Sequence, residues 1–134
     1  MSKHILVIDD DPNVRKSFSL TFEDSAYHVE TAKSGEQGVE KAKSTRFDLI
    51  FLDLKMPGMN GVEALRELRM MDRDVPIYIV TAFHKEFFDQ LQSVSHDGID
   101  FDLLQKPVSP EKLLSITVGI LEGSVSIGGC YVSN

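Results

Sequence analysis

The sequence predicts a single α/β domain with a five-stranded parallel sheet and helices on both faces. Five short apolar runs alternate with segments of helical periodicity. The third run, D-L-I-F-L-D at residues 48–53, is almost continuously apolar, which is typical of a strand covered on both faces. Such strict alternation favours β–α units that build a parallel sheet.

Clear start signals mark the first two units. Asp11 can cap the free N–H groups of a helix, and Pro12 suits its first position. Ser34 and Gln37 form the capping pattern of a second helix. The predicted elements are a strand at 4–8, a helix from 11 to about 24 with Val14, Phe18 and Phe22 on one face, a strand at 27–31 and a helix from 34 to about 44.

The other three units are marked in the same way. Asn60 and Glu63 form another capping pattern, and Pro76 is tolerated at the start of a strand. The predicted elements are a strand at 48–53, a helix from 60 with Val62, Leu65 and Leu68 inward, a strand at 75–80, a helix at 85–95, a strand at 101–105 and a helix from Ser109 to about Gly123.

Composition narrows the functional class. The net charge of −7 without a basic cluster argues against direct nucleic-acid binding. The single cysteine, Cys130, allows no internal disulfide, and no signal or membrane-spanning segment is found, so we expect a cytoplasmic protein. The domain is expected to span residues 1–123, followed by a flexible tail at 124–134.

Polar residues follow four of the predicted strands where each ends. Ligands of parallel α/β sheets bind at this edge, so these side chains are expected to meet. Clustered carboxylates repel one another unless a hard cation such as Mg²⁺ or an ammonium group compensates. Singly, each residue is typical of a turn, cap or surface position, but together they indicate a carboxylate nucleophile for phosphoryl transfer. The residues are Asp9 and Asp10 after the first strand, Asp53 after the third, Thr81 after the fourth and Lys106 after the fifth.

These motifs resemble the receiver domains of two-component response regulators. The matching pieces are V-I-D-D-D-P at 7–12, D-L-K-M-P-G-M-N-G at 53–61, T-A at 81–82 and Q-K-P at 105–107. The resemblance covers the chain from about residue 3 to 123 and implies a flavodoxin-like (βα)5 fold with strand order 2-1-3-4-5.

The resemblance also implies roles and partners. The phosphoryl group would come from a sensor histidine kinase or a histidine phosphotransfer protein, and the signal would pass to an unidentified downstream protein. Neither nucleic acid nor membrane would be bound directly, and phosphorylation-dependent dimerisation stays open. In this family pattern Asp53 accepts the phosphoryl group, Asp9, Asp10 and Asp53 with the backbone carbonyl of Lys55 hold Mg²⁺ or Mn²⁺, Thr81 and Lys106 contact the phosphoryl group, and the Lys106-Pro107 peptide is cis.

Three features depart from the family pattern. Leu103 stands where many members carry a switch aromatic, with Phe101 two residues earlier. Thr81 and Lys106 are 25 positions apart, a few more than expected, and the extra residues are expected in the fourth helix or at 95–100. No basic output domain follows Gly123, so the chain acts through another protein or is a piece of a longer one.

Alternative functions remain. An aspartate-nucleophile phosphatase usually carries a second acid two residues after the nucleophile, where this chain has Lys55. A degenerate receiver would be an interaction module that takes no phosphate, and a flavodoxin-type carrier would need a phosphate loop where this chain is acidic.

For other residues the sequence leaves two alternatives open or indicates no functional role. Lys55 and Phe83 could shield the acyl phosphate from water or point into solvent. The four histidines show no shared ligand spacing, and the methionines, among them Met70, are expected to fill the core and loops.

Overall fold

Five parallel strands form one sheet with the order β2-β1-β3-β4-β5, which confirms the predicted fold class. The computed structural model describes residues 2–82 and 85–123, and the backbone of 126–127 and 130–131. The elements of the sheet and its helices are β1 His4–Ile8, α1 Pro12–Thr21, β2 His28–Ala32, α2 Gly35–Ser44, β3 Leu49–Leu52, α3 Gly61–Met71, β4 Ile77–Thr81, α4 Phe88–His96, β5 Asp102–Gln105 and α5 Pro110–Leu121.

Each face of the sheet carries its own apolar layer. Leu6 and Ile8 of β1 face one way and pack in a cluster with residues of α2, α3 and α4. Ile5 and Val7 face the other way and join a cluster with residues of α1 and α5. This alternation along β1 follows from the two-residue period of a strand, and it leaves the strand ends as the place where polar groups can meet.

Side-chain caps fix most helix starts. Asp11 accepts a hydrogen bond from the Asn13 N–H at 2.8 Å. The predicted capping box of α3 is complete, with Asn60 and Glu63 bonded to each other's N–H at 2.9 Å. In α2 the pattern is only half reciprocal. Ser34 accepts from Gln37 N–H at 3.0 Å, but the Gln37 side chain accepts from the N–H of Lys33 rather than of Ser34.

Two helix boundaries differ by three residues from those predicted. Helix α1 ends at Thr21, and a turn at residues 22–24 replaces the last three residues of the predicted helix. Helix α4 begins at Phe88, and residues 85–87 form a turn. Its cap position, Phe87, offers no side-chain acceptor for the free N–H groups, so the sequence carries no cap signal at the true start. The prediction that α4 starts at residue 85 was therefore wrong.

Beyond α5 only short segments are described. Ser126–Ile127 and Cys130–Tyr131 pair as two antiparallel strands, β6 and β7. The predicted flexibility of residues 124–134 otherwise concerns positions outside the described residues. None of the described helices combines the length and the apolar character needed to cross a bilayer.

Candidate functional site

Strand register brings the predicted site residues to one edge of the sheet. Ile8 of β1 pairs with Leu52 of β3, so the residues that follow them, Asp9 and Asp53, leave the sheet side by side. The N–H of Asp53 also donates to the carbonyl of Ile8 at 2.9 Å. On the other side, the N–H of Lys106 donates to the carbonyl of Thr81 at 3.1 Å. Hydrogen bonds of the sheet thus fix the backbone of the site.

Three carboxylates cluster at this edge. Oxygen atoms of Asp9, Asp10 and Asp53 lie within 4.8 Å of one another, close enough for one metal ion. Asp9 and Asp53 are only 3% and 5% exposed, whereas Asp10 is exposed. Both oxygens of Asp9 already have protein partners, the N–H of Asp11 at 2.9 Å and Lys106 Nζ at 2.8 Å. Asp10 is therefore the more available carboxylate of the pair.

Lys106 supplies the positive charge within the acidic cluster. Its Nζ lies 2.8 Å from Asp9 Oδ2 and 3.7 Å from Asp53 Oδ1. The peptide that follows, Lys106-Pro107, is cis, as the family resemblance implied. One ammonium facing two buried carboxylates leaves a negative excess, which suits a site that also takes a divalent cation.

Burial changes the acidity of Asp53. Desolvation, followed by the charge of Asp9, raises the pKa of this carboxyl from 3.8 to about 6. The charge of Lys106 and hydrogen bonds from the Leu54 backbone and the Thr81 side chain act in the opposite direction and lower the pKa. Asp53 Oδ1 is buried, and no described residue donates a hydrogen bond to it. Such an atom is suited to contact a cation.

Thr81 and Lys55 have different surroundings. Thr81 is fully buried at the end of β4 and hydrogen-bonds to Asp53. Lys55 lines the same cavity as Asp9, Asp10 and Asp53, but its Nζ lies 3.5 Å from Glu86 Oε1 just before α4, with both side chains about half exposed. The side chain of Lys55 therefore belongs to the rim of the site. Phe83, its predicted partner in shielding, lies outside the described residues.

Two supporting contacts were missed in the sequence. A Cβ on Gly61 would lie 2.1 Å from the carbonyl oxygen of Asp53, so only glycine lets α3 start against the end of β3. Arg15 Nη1 donates to the carbonyl of Asp9 at 2.8 Å. The G of the 53–61 motif was a visible signal for the first contact, whereas an arginine in the first turn of a helix gave none for the second.

The residues expected to carry a switch lie on β5 and just before it. Leu103 is 41% exposed, whereas Phe101 is partly buried and packs against the core cluster that includes α3 and α4. The position that carries an aromatic in many members of the family is therefore occupied here by an exposed aliphatic side chain. Between Thr81 and Lys106, helix α4 is followed by a loop at 97–101, and the Asp100 carbonyl of this loop is held by Arg69.

Comparison with known proteins gives a consistent result. Residues 5–117 match the family model of the response regulator receiver domain. The chain is 34% identical over 124 residues to the alkaline phosphatase synthesis transcriptional regulatory protein PhoP of Bacillus subtilis, covering 92% of this chain and 50% of PhoP. The chain thus spans about half the length of the curated relatives it matches.

Solved structures agree with this match. The chemotaxis protein CheY4 of Vibrio cholerae has a TM-score of 0.78 and 32% identity, with 90% of this chain and 100% of CheY4 covered. The response regulator TrrA of Thermotoga maritima, in complex with Mg²⁺ and BeF, has a TM-score of 0.74 and 31% identity, covering 89% of this chain and 99% of TrrA.

Proposed function

Since the chain belongs to the response regulator receiver domains of two-component signalling, we propose that its Asp53 accepts a phosphoryl group in a reaction that depends on Mg²⁺. The observation that carries the assignment is the placement of Lys106 Nζ between two buried carboxylates, 2.8 Å from Asp9 and 3.7 Å from Asp53. A cation and a nucleophile are thereby held at the ligand-binding edge of a parallel sheet.

The reaction moves one phosphoryl group. An Asp53 carboxylate oxygen attacks phosphorus, the bond from phosphorus to the donor nitrogen of a phosphohistidine breaks, and that nitrogen leaves with its electron pair. Hydrolysis later returns the carboxylate and releases phosphate. Because Asp53 must attack as the anion, its pKa of about 6 keeps most molecules reactive at neutral pH.

The donor set fits a hard cation. Asp9, Asp10 and Asp53 offer only oxygen atoms as ligands, which Mg²⁺ or Mn²⁺ prefers. The two oxygens of Asp9 are already bonded to the Asp11 N–H and to Lys106 Nζ. We assign Asp10, Asp53 and the backbone carbonyl of Lys55 as direct ligands. Asp9 is the other member of the acidic pair at the metal site. A bound divalent cation would neutralise charge that develops on the transferring phosphoryl group.

Lys106 and Thr81 complete the proposed site. The ammonium of Lys106 is within reach of a phosphoryl group on Asp53, and the Thr81 hydroxyl can donate to one of its oxygens. These two contacts form only when phosphate is present, so they shift the population towards a state in which α4, β5 and α5 present a different surface. Exposed Leu103 on β5 lies on that surface.

We infer that the domain at residues 1–123 works between proteins rather than on a small substrate. A sensor histidine kinase or a histidine phosphotransfer protein supplies the phosphoryl group, and a downstream protein, or a second copy of the chain, reads the change. A cytoplasmic location agrees with the single cysteine. The acidic net charge of −7 argues against direct contact with nucleic acid.

The proposed function is tested by incubating the chain with acetyl phosphate and measuring phosphoryl incorporation by mass spectrometry, with and without Mg²⁺. Labelling of the native chain that requires Mg²⁺ and disappears in Asp53→Asn supports the assignment. The matched control is Asp24→Asn, an exposed aspartate after α1. A folded native chain that takes no label would favour the phosphate-independent interaction module, and turnover of phosphate monoesters would favour a phosphatase.

A further inference from the structure

Two histidines and a glutamate meet at the edge of the sheet opposite the acidic cluster. His4 opens β1 and His28 opens β2, and the parallel register pairs these two residues directly. Their rings lie 4.9 Å apart between centroids. Glu30 is two residues after His28 on the same face of β2. One possible ligand atom from each of the three residues lies within 4.8 Å of the others.

One ring nitrogen of His4, Nδ1, is buried without a hydrogen-bond partner among the described residues. Burying a polar nitrogen without a hydrogen-bond partner destabilises the folded state. The backbone of the same residue is fixed, because its N–H donates to Asp48 Oδ2 at 2.8 Å. The backbone that carries the ring is thus held in place, while the ring nitrogen Nδ1 has no hydrogen-bond partner among the described residues.

Charged groups around the cluster are arranged to admit a cation. Glu30 faces His28 Nε2 at 3.9 Å and Lys41 Nζ of α2 at 3.6 Å. Lys41 is about one-third exposed, so its ammonium can turn into solvent when a metal ion replaces it. Glu30 and the nearby carboxylate of Asp48 then balance the charge of the ion.

We propose that His4, His28 and Glu30 form a second metal site, selective for a borderline transition metal such as Zn²⁺. Two imidazoles and one carboxylate are a common zinc donor set, and they differ from the all-oxygen set of the acidic cluster, which suits Mg²⁺. Tetrahedral ligands at about 2.0–2.2 Å from zinc lie roughly 3.4 Å apart. The proposed site requires side-chain rotations that bring the ligand atoms to that distance, and the side chains of His28 and Glu30, 58% and 29% exposed, have room for them.

Three protein ligands leave a fourth position open for water or for a donor from another molecule. The site joins β1 to edge strand β2 across their paired ends. A metal ion bound only by the folded chain stabilises it by mass action. The site therefore couples zinc to the stability of the sheet edge, independently of whether Asp53 is phosphorylated.

The test is isothermal titration calorimetry of the full chain with Zn²⁺ in excess Mg²⁺, which keeps the acidic cluster occupied. The expected result is one Zn²⁺ per chain, with the Kd weakened about tenfold or more in His28→Gln and in Glu30→Gln. Matched controls are His96→Gln, an exposed histidine at the end of α4, and Cys130→Ser, which removes the single thiol. Both controls should bind as the native chain does.

A second measurement does not depend on these variants. Ni²⁺ should broaden the NMR signals of His4 and His28 before those of Asp10 and Asp53. Zn²⁺ at about 100 times its Kd should raise Tm by roughly 5–10 °C. Three outcomes overturn the proposal: a native chain that binds no Zn²⁺, a folded His28→Gln that binds it unchanged, or binding that is lost only in Asp10→Asn. The first two leave the phosphoacceptor assignment intact, which the acetyl phosphate assay decides separately.

Discussion

Arg69 donates two hydrogen bonds to the backbone carbonyl of Asp100, from Nε at 3.0 Å and from Nη2 at 2.8 Å. The third nitrogen of the same guanidinium donates to the carbonyls of Asp72 and Val75. The side chain is 9% exposed and lies at the end of α3. One buried cation thereby fastens the loop before β4 and the loop before β5, the two connections that lead to Thr81 and Lys106.

Replacement of Arg69 by Met is therefore expected to destabilise the chain by about 2–4 kcal/mol, because the buried carbonyl of Val75 and the part-buried carbonyls of Asp72 and Asp100 lose charged donors. Urea unfolding followed by circular dichroism measures the change. The control is Arg66→Gln, which breaks a 2.9 Å ion pair with Asp97 between partly exposed side chains and should cost at most about 1 kcal/mol. Equal effects of the two variants would contradict this structural role.

Gly61 offers a prediction about the positioning of Asp53. An added Cβ would lie 2.1 Å from the Asp53 carbonyl oxygen and 2.6 Å from Leu54 Cα, both backbone atoms that cannot rotate away. Gly61→Ala should therefore cost about 1–3 kcal/mol or more and slow labelling by acetyl phosphate. Thermal unfolding and mass spectrometry measure the two effects.

Gly119 of α5 is the matched control for that substitution. Apart from the helix's own backbone and the chain neighbours, no atom of the described residues lies within 4 Å of a Cβ added there, and the residue is inside a helix. Gly119→Ala should raise the free energy of unfolding by about 0.5–1 kcal/mol and leave labelling unchanged. Loss of stability at both glycines would mean that backbone contact with Asp53 is not the cause.

The parts of the fold that the sequence predicted depend on local chemistry. Apolar runs mark the strands, and Asp11, Ser34, Asn60 and Ser109 mark helix starts because each caps the next turn with its own side chain. Helix α4 has no such cap, and its start was misplaced by three residues. The strand-end residues could be predicted because parallel strands deliver their ends to one edge.

Contacts between distant residues could not be predicted in this way. His4 and His28 show no ligand spacing along the chain, yet the register of β1 and β2 pairs them. Arg69 is charged and stands inside a helix, which usually indicates a solvent-facing residue, whereas Met70 was expected in the core or a loop. The structure shows the opposite for both residues: α3 buries Arg69 on its inward face and leaves Met70 82% exposed on its solvent face. Such outcomes depend on packing partners that one sequence does not contain.

Lys106 is expected to keep the pKa of Asp53 low enough for its carboxyl to be ionised at neutral pH, as phosphoryl transfer requires. Its ammonium lowers the pKa of that carboxyl against desolvation and the charge of Asp9. Lys106→Met should therefore raise the pKa of Asp53 above about 6 and reduce the reactive fraction at neutral pH. NMR titration of the side-chain carboxyl carbon, assigned with Asp53→Asn, measures the shift. Lys112→Met, at an exposed position of α5, should leave the titration in place.

Asp53 should also make the metal-free chain less stable as the pH rises. The carboxyl is protonated in folded and unfolded chains below about pH 4, so its ionisation then contributes nothing to the free energy of unfolding. Between pH 4 and 6 the unfolded chain ionises freely, while burial holds the folded pKa at about 6, and the folded state loses stability. Asp53→Asn should therefore be more stable than the native chain by about 1–3 kcal/mol above pH 6, and by nothing below pH 4.

Urea unfolding in EDTA at several pH values measures the difference in the free energy of unfolding. The control variant Asp24→Asn should stay within about 0.5 kcal/mol of the native chain throughout. A pH-independent difference between Asp53→Asn and the native chain would show that burial of the charge is not what destabilises the site.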